Sequence, residues 1–285
     1  DQSVFHNTSA IYRLHAEIEF IRGKGHGAEC ALHLSRLMSC ASLSALVHDG
    51  ETDTFKLHCG IYASEENAEW LGRLFLGAVG IQISEAHGKA SRLAAQLKGA
   101  PATSAHPATG MRSEPDPMCA AIERFFRPAG ALPSRWADVE EWNEAHYNVK
   151  RLAEKVSTDS RSFLHAEFPW AAGAENGECI TLEVTTQRPN PELGNGLHMS
   201  LKLPVRMDEE HSAQTALDLN AAERQEWKWI HDLGSWCAEE GAVEFNCFIP
   251  NVSYHAAILP SLVHDMAIRA NWASELAASE AAAAR

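Results

Sequence analysis

The feature of this chain that most constrains its fold is a four-residue sequence that recurs about halfway along it. Leu-His-Ala-Glu stands at 14–17 and again at 164–167. Each copy continues into a glycine-containing stretch, at 23–27 and at 173–177, and Glu-Cys follows each stretch. Self-similarity of this kind is the sequence signature of a repeated structural unit. The 285 residues can hold two such units, because one domain usually takes about 100–200 residues.

Further matches follow in the same order, so we predict that the two halves are diverged copies of one unit. They are Leu57-His58 with Leu197-His198, Glu69-Trp70 with Glu226-Trp227, 77–79 with 241–243, and 84–87 with 253–255. The matches align a predicted strand at 11–20 with one at 162–170. They also align a helix that begins near Ser64 with a helix that Asn220 would cap.

Local patterns within each copy predict an α+β fold. Residues 180–186 alternate and are rich in β-branched side chains, as half-buried strands are. Trp70, Leu71 and Leu74 have the spacing of an apolar helical face. We expect two diverged copies of a helix–three-strand–helix–strand–helix unit, with antiparallel sheets and helices packed on one face. The expected boundaries are a first repeat at 1–98, a Pro/Ala-rich linker at 99–135, a second repeat at 136–276 and an Ala-rich tail at 277–285.

Composition narrows the possible partners and compartments. Lys and Arg number 24 and Asp and Glu 38, which gives a net charge of −14 without a basic stripe. Nucleic-acid binding needs cations that displace counterions from phosphate, so nucleic acids and anionic membranes are not expected partners. Residues 1–10 lack the pattern of a signal peptide. The seven cysteines, an odd number without a Cys-x-x-Cys pair, are typical of free thiols in the cytoplasm.

The second half carries a resemblance to a known fold. It lies in Asn220 with Glu223, in 233–237, and in Phe248 through Asn251. With the order of elements, these segments resemble the type III secretion chaperone fold, which a bacterial sensory-transduction regulator family also uses. The resemblance implies a non-catalytic protein that binds other proteins, often as a dimer. Two copies in one chain would mimic such a dimer.

Fifteen histidines require that metal and acid–base chemistry be considered. His15 with Glu17, and His165 with Glu167, match the His-x-Glu of zinc deaminases, but no Pro-Cys-x-x-Cys follows either pair. On a strand, residues two apart share one face, so a solvated strand face explains both pairs equally well. These four residues remain weak metal candidates, and we expect no bound metal or cofactor. One alternative is a metal-dependent hydrolase with histidine ligands from both halves, and another is a small-molecule sensor that binds between the repeats.

Aromatic side chains are the better candidates for a binding surface. Trp227, Trp229 and Trp236 are predicted on one helix, with Trp70 on its counterpart. Because Trp227 and Trp229 are two residues apart, they cannot share a helical face, and one of them is expected to contact something outside its own unit. Phe248 and Asn251, at the corner after the last strand, complete the interface candidates. The sequence therefore predicts a non-catalytic, chaperone-like protein that binds or regulates a protein partner, as a homodimer or as an intramolecular pseudo-dimer.

Overall fold

The computed structural model describes residues 11–23, 32, 43–102, 105–106, 110–111, 124, 126, 131–171, 177–225 and 230–283. In these residues the chain is mixed α+β, with antiparallel sheets, as the sequence predicts. No helix in the described part is both long and apolar enough to cross a membrane.

The first half forms a four-stranded sheet in the order β2-β3-β1-β4. Its elements are β1 (Tyr12–Arg22), β2 (Ala45–Asp49), β3 (Thr54–Ala63), the short β4 (Ala100–Pro101) and helix α1 (Ala68–Gln96). A turn that begins at Asp49-Gly50 joins β2 to β3, and the Asp49 carboxylate accepts hydrogen bonds from the backbone N–H groups of Glu51 and Thr52. Period-2 alternation directs the odd-numbered residues of β3 to one face, where apolar side chains of α1 cover them.

The second half forms a six-stranded sheet in the order β11-β12-β10-β9-β8-β7. Its strands are β7 (Lys155–Thr158), β8 (Phe163–Pro169), β9 (Cys179–Thr185), β10 (Gly196–Arg206), β11 (Ser235–Glu239) and β12 (Ala242–Pro250). Its helices are α2 (Val139–Lys150), α3 (Glu209–Gln225) and α4 (Leu259–Ala283). The short strands β5 (Ala105–His106) and β6 (Gly110–Met111) pair in the predicted linker, and Phe126 from that linker is buried in the core.

The predicted helices differ from the structure at several points. Helix α1 runs without a break where the sequence matches placed a helix, a strand and a second helix. In the second half, helix α3 ends at Gln225, so Asn220 lies inside this helix and does not cap one. Trp236 is on strand β11, and the Asn220 side chain accepts a hydrogen bond from its backbone N–H at 2.8 Å. Helix α4 continues to Ala283, past the predicted start of the tail.

The strand orders show a different correspondence between the halves from the one predicted. The order β2-β3-β1-β4 parallels β11-β12-β10-β9, and in both halves a hairpin precedes a long helix. This topology aligns β1 with β10, whereas the Leu-His-Ala-Glu match aligns β1 with β8. The match of 77–79 with 241–243 pairs helical residues with a turn and a strand. The predicted alignment of the two halves is therefore wrong. Duplication itself stays a prediction.

Candidate functional site

The two halves meet where Gly60 of β3 approaches the segment between α3 and β11. The Gly60 N–H donates to the Asp232 carbonyl oxygen at 3.0 Å. An ideal Cβ on Gly60 would lie only 2.9 Å from an Asp232 carboxylate oxygen, so a side chain at this position would crowd the contact. The segment around Asp232 thus extends the hydrogen-bonded edge of β3 beyond the end of β2.

Side chains of alternating charge surround this contact, and we call Arg13, Glu17, His58, Arg224 and Asp232 the junction cluster. The Asp232 carboxylate lies 2.9 Å from Nη2 of Arg13 and 3.4 Å from Nε2 of His58. The other ring nitrogen of His58, Nδ1, lies 3.3 Å from a Glu17 carboxylate oxygen, without the geometry of a hydrogen bond. Glu17 in turn pairs with Arg224 at 2.8 Å. Each carboxylate of the cluster is therefore held by an arginine.

The cluster keeps its buried carboxylate ionised. Burial alone raises the pKa of Asp232, but the His58 hydrogen bond and the Arg13 guanidinium outweigh burial and hold the pKa below its usual value. Two buried thiols of the core have a raised pKa, in contrast to Asp232. Burial raises the pKa of Cys59 to about 12, and burial also raises the pKa of Cys247 to about 12. Both thiols stay protonated at neutral pH and are poor nucleophiles.

A second polar network ties the same segment to helix α4. Arg269 donates from Nε to Glu223 at 2.7 Å and from Nη2 to the His231 carbonyl oxygen at 2.9 Å. The other Glu223 oxygen accepts the indole N–H of Trp236 at 2.8 Å. The backbone N–H of Tyr62 on β3 donates to Nδ1 of His231 at 3.2 Å. These bonds connect the first sheet, the 230–235 segment and α4.

Among the described residues, the junction offers little space for a ligand. A cavity lined by His58, Glu223, Arg224 and Asp232, among others, has a volume of about 10 Å³. A single water needs roughly 10–15 Å³, so this cavity has room for one water at most and none for a metabolite. His58 and the two carboxylates beside it are groups suited to proton transfer. The described side chains keep a substrate from reaching them, because only 2 % of the His58 side chain is exposed.

The predicted His-x-Glu pairs lie in different sheets. His15 and Glu17 share one face of β1, where the His15 ring stacks 6.0 Å from that of His58. His165 and Glu167 share a face of β8, with Nε2 and Oε1 3.8 Å apart, and Lys155 binds Glu167 at 2.7 Å. The described residues contain no group of three or more side chains placed to hold a metal ion.

The predicted aromatic interface is divided among several places. Trp236 and Phe248 are each 1 % exposed and Asn251 is fully buried, so these three belong to the core. Trp70 on α1 is half-buried and stacks on His255. Two of the candidates, Trp227 and Trp229, lie outside the described residues.

Sequence reasoning missed a surface at the outer edge of β1. Strand β1 pairs with β3 along its length, but β4 pairs with it only at Ile21 and Arg22. No strand of the described ranges lies beside the remainder of this edge, which we call the β1 edge (residues 12–19). Three apolar side chains at its start are well exposed, Ile11 at 44 %, Tyr12 at 59 % and Leu14 at 42 %. The alternating sequence predicts a strand here, but nothing in it indicates which strands become neighbours.

Comparison of the chain with protein-family models, with curated protein sequences and with solved structures finds no match.

Proposed function

We propose that this protein is a non-catalytic, chaperone-like binding or regulatory protein that engages a protein partner by strand addition at the β1 edge. The observation that carries the proposal is this open edge with its exposed apolar side chains. An unpaired edge presents a row of backbone N–H and C=O groups that another chain can use. In strand addition the main-chain hydrogen bonds supply affinity and alternate side chains supply specificity.

The side chains of the β1 edge are suited to this role. Tyr12, Leu14 and Ile18 point to one face of the sheet, and Arg13 and Glu17 point to the other. Natural sheets usually protect their edges with a very short strand, a proline or a bulge that turns the edge away. Residues 12–19 contain no proline, and the irregularity in the β1–β3 register comes only after Glu19.

The junction cluster contributes by fixing the β1 edge in place. Arg13 and Glu17 belong to the edge strand, and their partners Asp232 and Arg224 belong to the second half. The strand offered to a partner is therefore held by both halves of the molecule. Pairing with a partner strand then requires little further ordering, which favours affinity.

A reducing compartment such as the cytoplasm fits the chemistry of the cysteines. Cys59, Cys179, Cys237 and Cys247 carry free thiols, three of them buried. Disulfides are rare in compartments where thioredoxin and glutathione keep thiols reduced. The cytoplasmic location belongs to this proposal and is tested by fractionating cells that express the chain.

Selection from a library of short displayed peptides tests the proposed function. Peptides enriched on the wild-type chain should be extended, with alternating apolar residues, and should bind Leu14→Lys at least about tenfold more weakly, a loss of about 1.4 kcal/mol. The matched control is Leu76→Lys, which makes the same change at a leucine of α1 that is 70 % exposed. Enriched peptides that bind both variants equally, or no enrichment over bare support when the chain is immobilised as a monomer, would contradict strand addition at β1.

A further inference from the structure

We infer that the occupant of the β1 edge is a second copy of this chain, paired antiparallel through β1 about a twofold axis at Ala16. The inference rests on the proposed function, because it names the partner of the same edge. It follows from the direction of the backbone groups, from the length of the open edge and from the charges along it.

Backbone direction determines which residues can bond to a neighbour. An ideal Cβ on Gly60 lies 3.3 Å from the Leu14 carbonyl oxygen, so that oxygen points toward β3. The Gly60 N–H, opposite His15, is turned away from β1 toward Asp232. Because backbone groups alternate along an antiparallel strand, those of Arg13, His15, Glu17 and Glu19 face the open edge.

The open edge has defined limits. At its far end the Phe20 carbonyl oxygen accepts the Ala102 N–H at 3.0 Å, and β4 then pairs with Ile21 and Arg22. The outward-facing residues therefore run from Arg13 to Glu19, and their midpoint is Ala16. Pairing of two copies about this midpoint uses every outward-facing group and forms roughly eight backbone hydrogen bonds.

The charges favour this register. Arg13 of one copy lies opposite Glu19 of the other, and His15 lies opposite Glu17. On the other face Leu14 meets Ile18, so apolar side chains face apolar side chains. A register centred on His15 would place the two His15 side chains opposite each other and Ile11 opposite Glu19. Self-complementarity of this kind is what an isologous twofold interface requires.

Local neutrality of β1 also favours a second copy. Strand β1 carries two arginines and two glutamates, whereas the chain has a net charge of −14. Two strongly acidic molecules repel each other through most surfaces, and a neutral strand reduces this repulsion where they meet.

Light scattering after size-exclusion chromatography, over a range of concentrations, tests the dimer. The mass should rise from 31.2 kDa toward twice that value for the wild type and for Leu76→Lys. For Leu14→Lys the concentration at half-dimerisation should rise at least about tenfold. Glu19→Arg should weaken the dimer in the same direction through a charge instead of an apolar contact. A dimer that is equally stable in both β1 variants would overturn the inference.

A designed cross-link tests the register. Ala16→Cys, placed in a Cys59→Ala background because Cys59 lies opposite Ala16 on β3, should form an intermolecular disulfide between the two introduced thiols under mild oxidation. Cα atoms of directly opposed residues lie about 4.5–5.5 Å apart, within the range that disulfides span. His15→Cys in the same background should cross-link far less. Equal cross-linking in both, or none in either, would overturn the proposed register.

Two outcomes distinguish a second copy as the occupant of the β1 edge from strand addition in general. A monomer at every concentration that still binds the selected peptides through β1 would overturn the second copy as occupant and leave strand addition standing. A chain that neither dimerises nor binds peptides through β1 would overturn both proposals.

Discussion

At the scale of single residues, His198 shows how burial sets a pH dependence. Its side chain lies in the second sheet, is 6 % exposed, and has an Nδ1 atom with no hydrogen-bond partner. Burial is the main cause that lowers the pKa of His198 from 6.5 to about 4. The folded state therefore disfavours the proton that the unfolded chain accepts, so stability falls as pH falls from 6.5 to 4. The loss attributable to this residue is at most about 3.4 kcal/mol, at 1.36 kcal/mol for each pKa unit.

Replacing His198 should remove this contribution. We expect His198→Leu to lose less stability than the wild type between pH 7 and pH 4.5, measured by urea denaturation at each pH. His255→Leu, at an exposed position before α4, is the control and should keep the pH dependence of the wild type. An identical slope of stability against pH in His198→Leu and the wild type would contradict the assignment.

Gly234 lies at a position where any side chain is expected to destabilise the fold. Its φ is +112°, and an ideal Cβ would lie 2.6 Å from the Asn246 carbonyl oxygen. Gly234→Ala should therefore lower the free energy of unfolding by about 2 kcal/mol or more, through backbone strain and overlap together. Gly50→Ala, at a position with nothing within 4 Å, should change it by less than about 0.5 kcal/mol. Similar urea midpoints for the two variants would contradict this account.

Contacts between residues close in sequence could be predicted, and contacts between distant residues could not. The shared face of His15 and Glu17 follows from strand periodicity alone. The approach of Asp232 to His58 joins positions 174 apart and depends on how the two sheets meet. The only local signal of this contact is Gly60, a glycine inside a strand, which often marks a close backbone approach.

At the scale of elements, Asn251 holds the segment before α2 against the end of β12. Its side chain donates to the Leu132 and Pro133 carbonyl oxygens at 3.1 Å and accepts the Arg135 N–H at 3.2 Å. Asn251→Leu, similar in size, should lower the free energy of unfolding by roughly 3 kcal/mol, because buried backbone groups lose their partners.

The Asn251→Leu variant is expected to lose stability without losing the dimer. Asn251 is fully buried in the core and lies outside β1. Asn251→Leu should therefore keep the concentration dependence of the wild-type mass while it melts at a lower temperature. An unchanged melting temperature together with a lost dimer would instead support the interface role that the sequence predicted for Asn251.

Strands were more predictable than helices because their alternation is a local property. The predicted strands at 11–20, 162–170 and 180–186 correspond to β1, β8 and β9. The break predicted in helix α1 is wrong because it rests on the match of 77–79 with 241–243, which lies at a turn and a strand. Burial of Leu74, Ala78 and Ile81 at helical spacing against the first sheet keeps the helix unbroken here.

At the scale of the whole molecule, the buried pair of Arg269 and Glu223 links α3 to α4. Arg269 is 1 % exposed, lies 2.6 Å from Glu223, and stacks over the Phe245 ring. Removal of one member of a buried pair leaves an uncompensated charge, which costs about 3–5 kcal/mol. We expect a loss of this size for Arg269→Met, measured by urea denaturation. The double variant Arg269→Met with Glu223→Leu should recover part of it, and an additive second loss would contradict the pairing.

The molecule as a whole could be predicted in class but not in arrangement. Composition and periodicity indicate an acidic α+β protein, and the expected unit has antiparallel sheets. The joining of the halves could not be predicted, because it depends on charged residues drawn from β1, β3, α3 and α4. The β1 edge could not be predicted for the same reason, since only the three-dimensional strand order shows that, among the described strands, β4 pairs with β1 at Ile21 and Arg22 alone.

Amide hydrogen exchange along β1, measured at increasing protein concentration, reports directly on pairing through this edge. At high concentration the amides of Arg13, His15, Glu17 and Glu19 should gain protection, while those of Leu14 and Ala16, which bond to β3, are protected throughout. The gain should be absent at the same concentrations in Leu14→Lys. Equally fast exchange of the four outward amides at every concentration, or an equal gain in Leu14→Lys, would contradict pairing through the β1 edge.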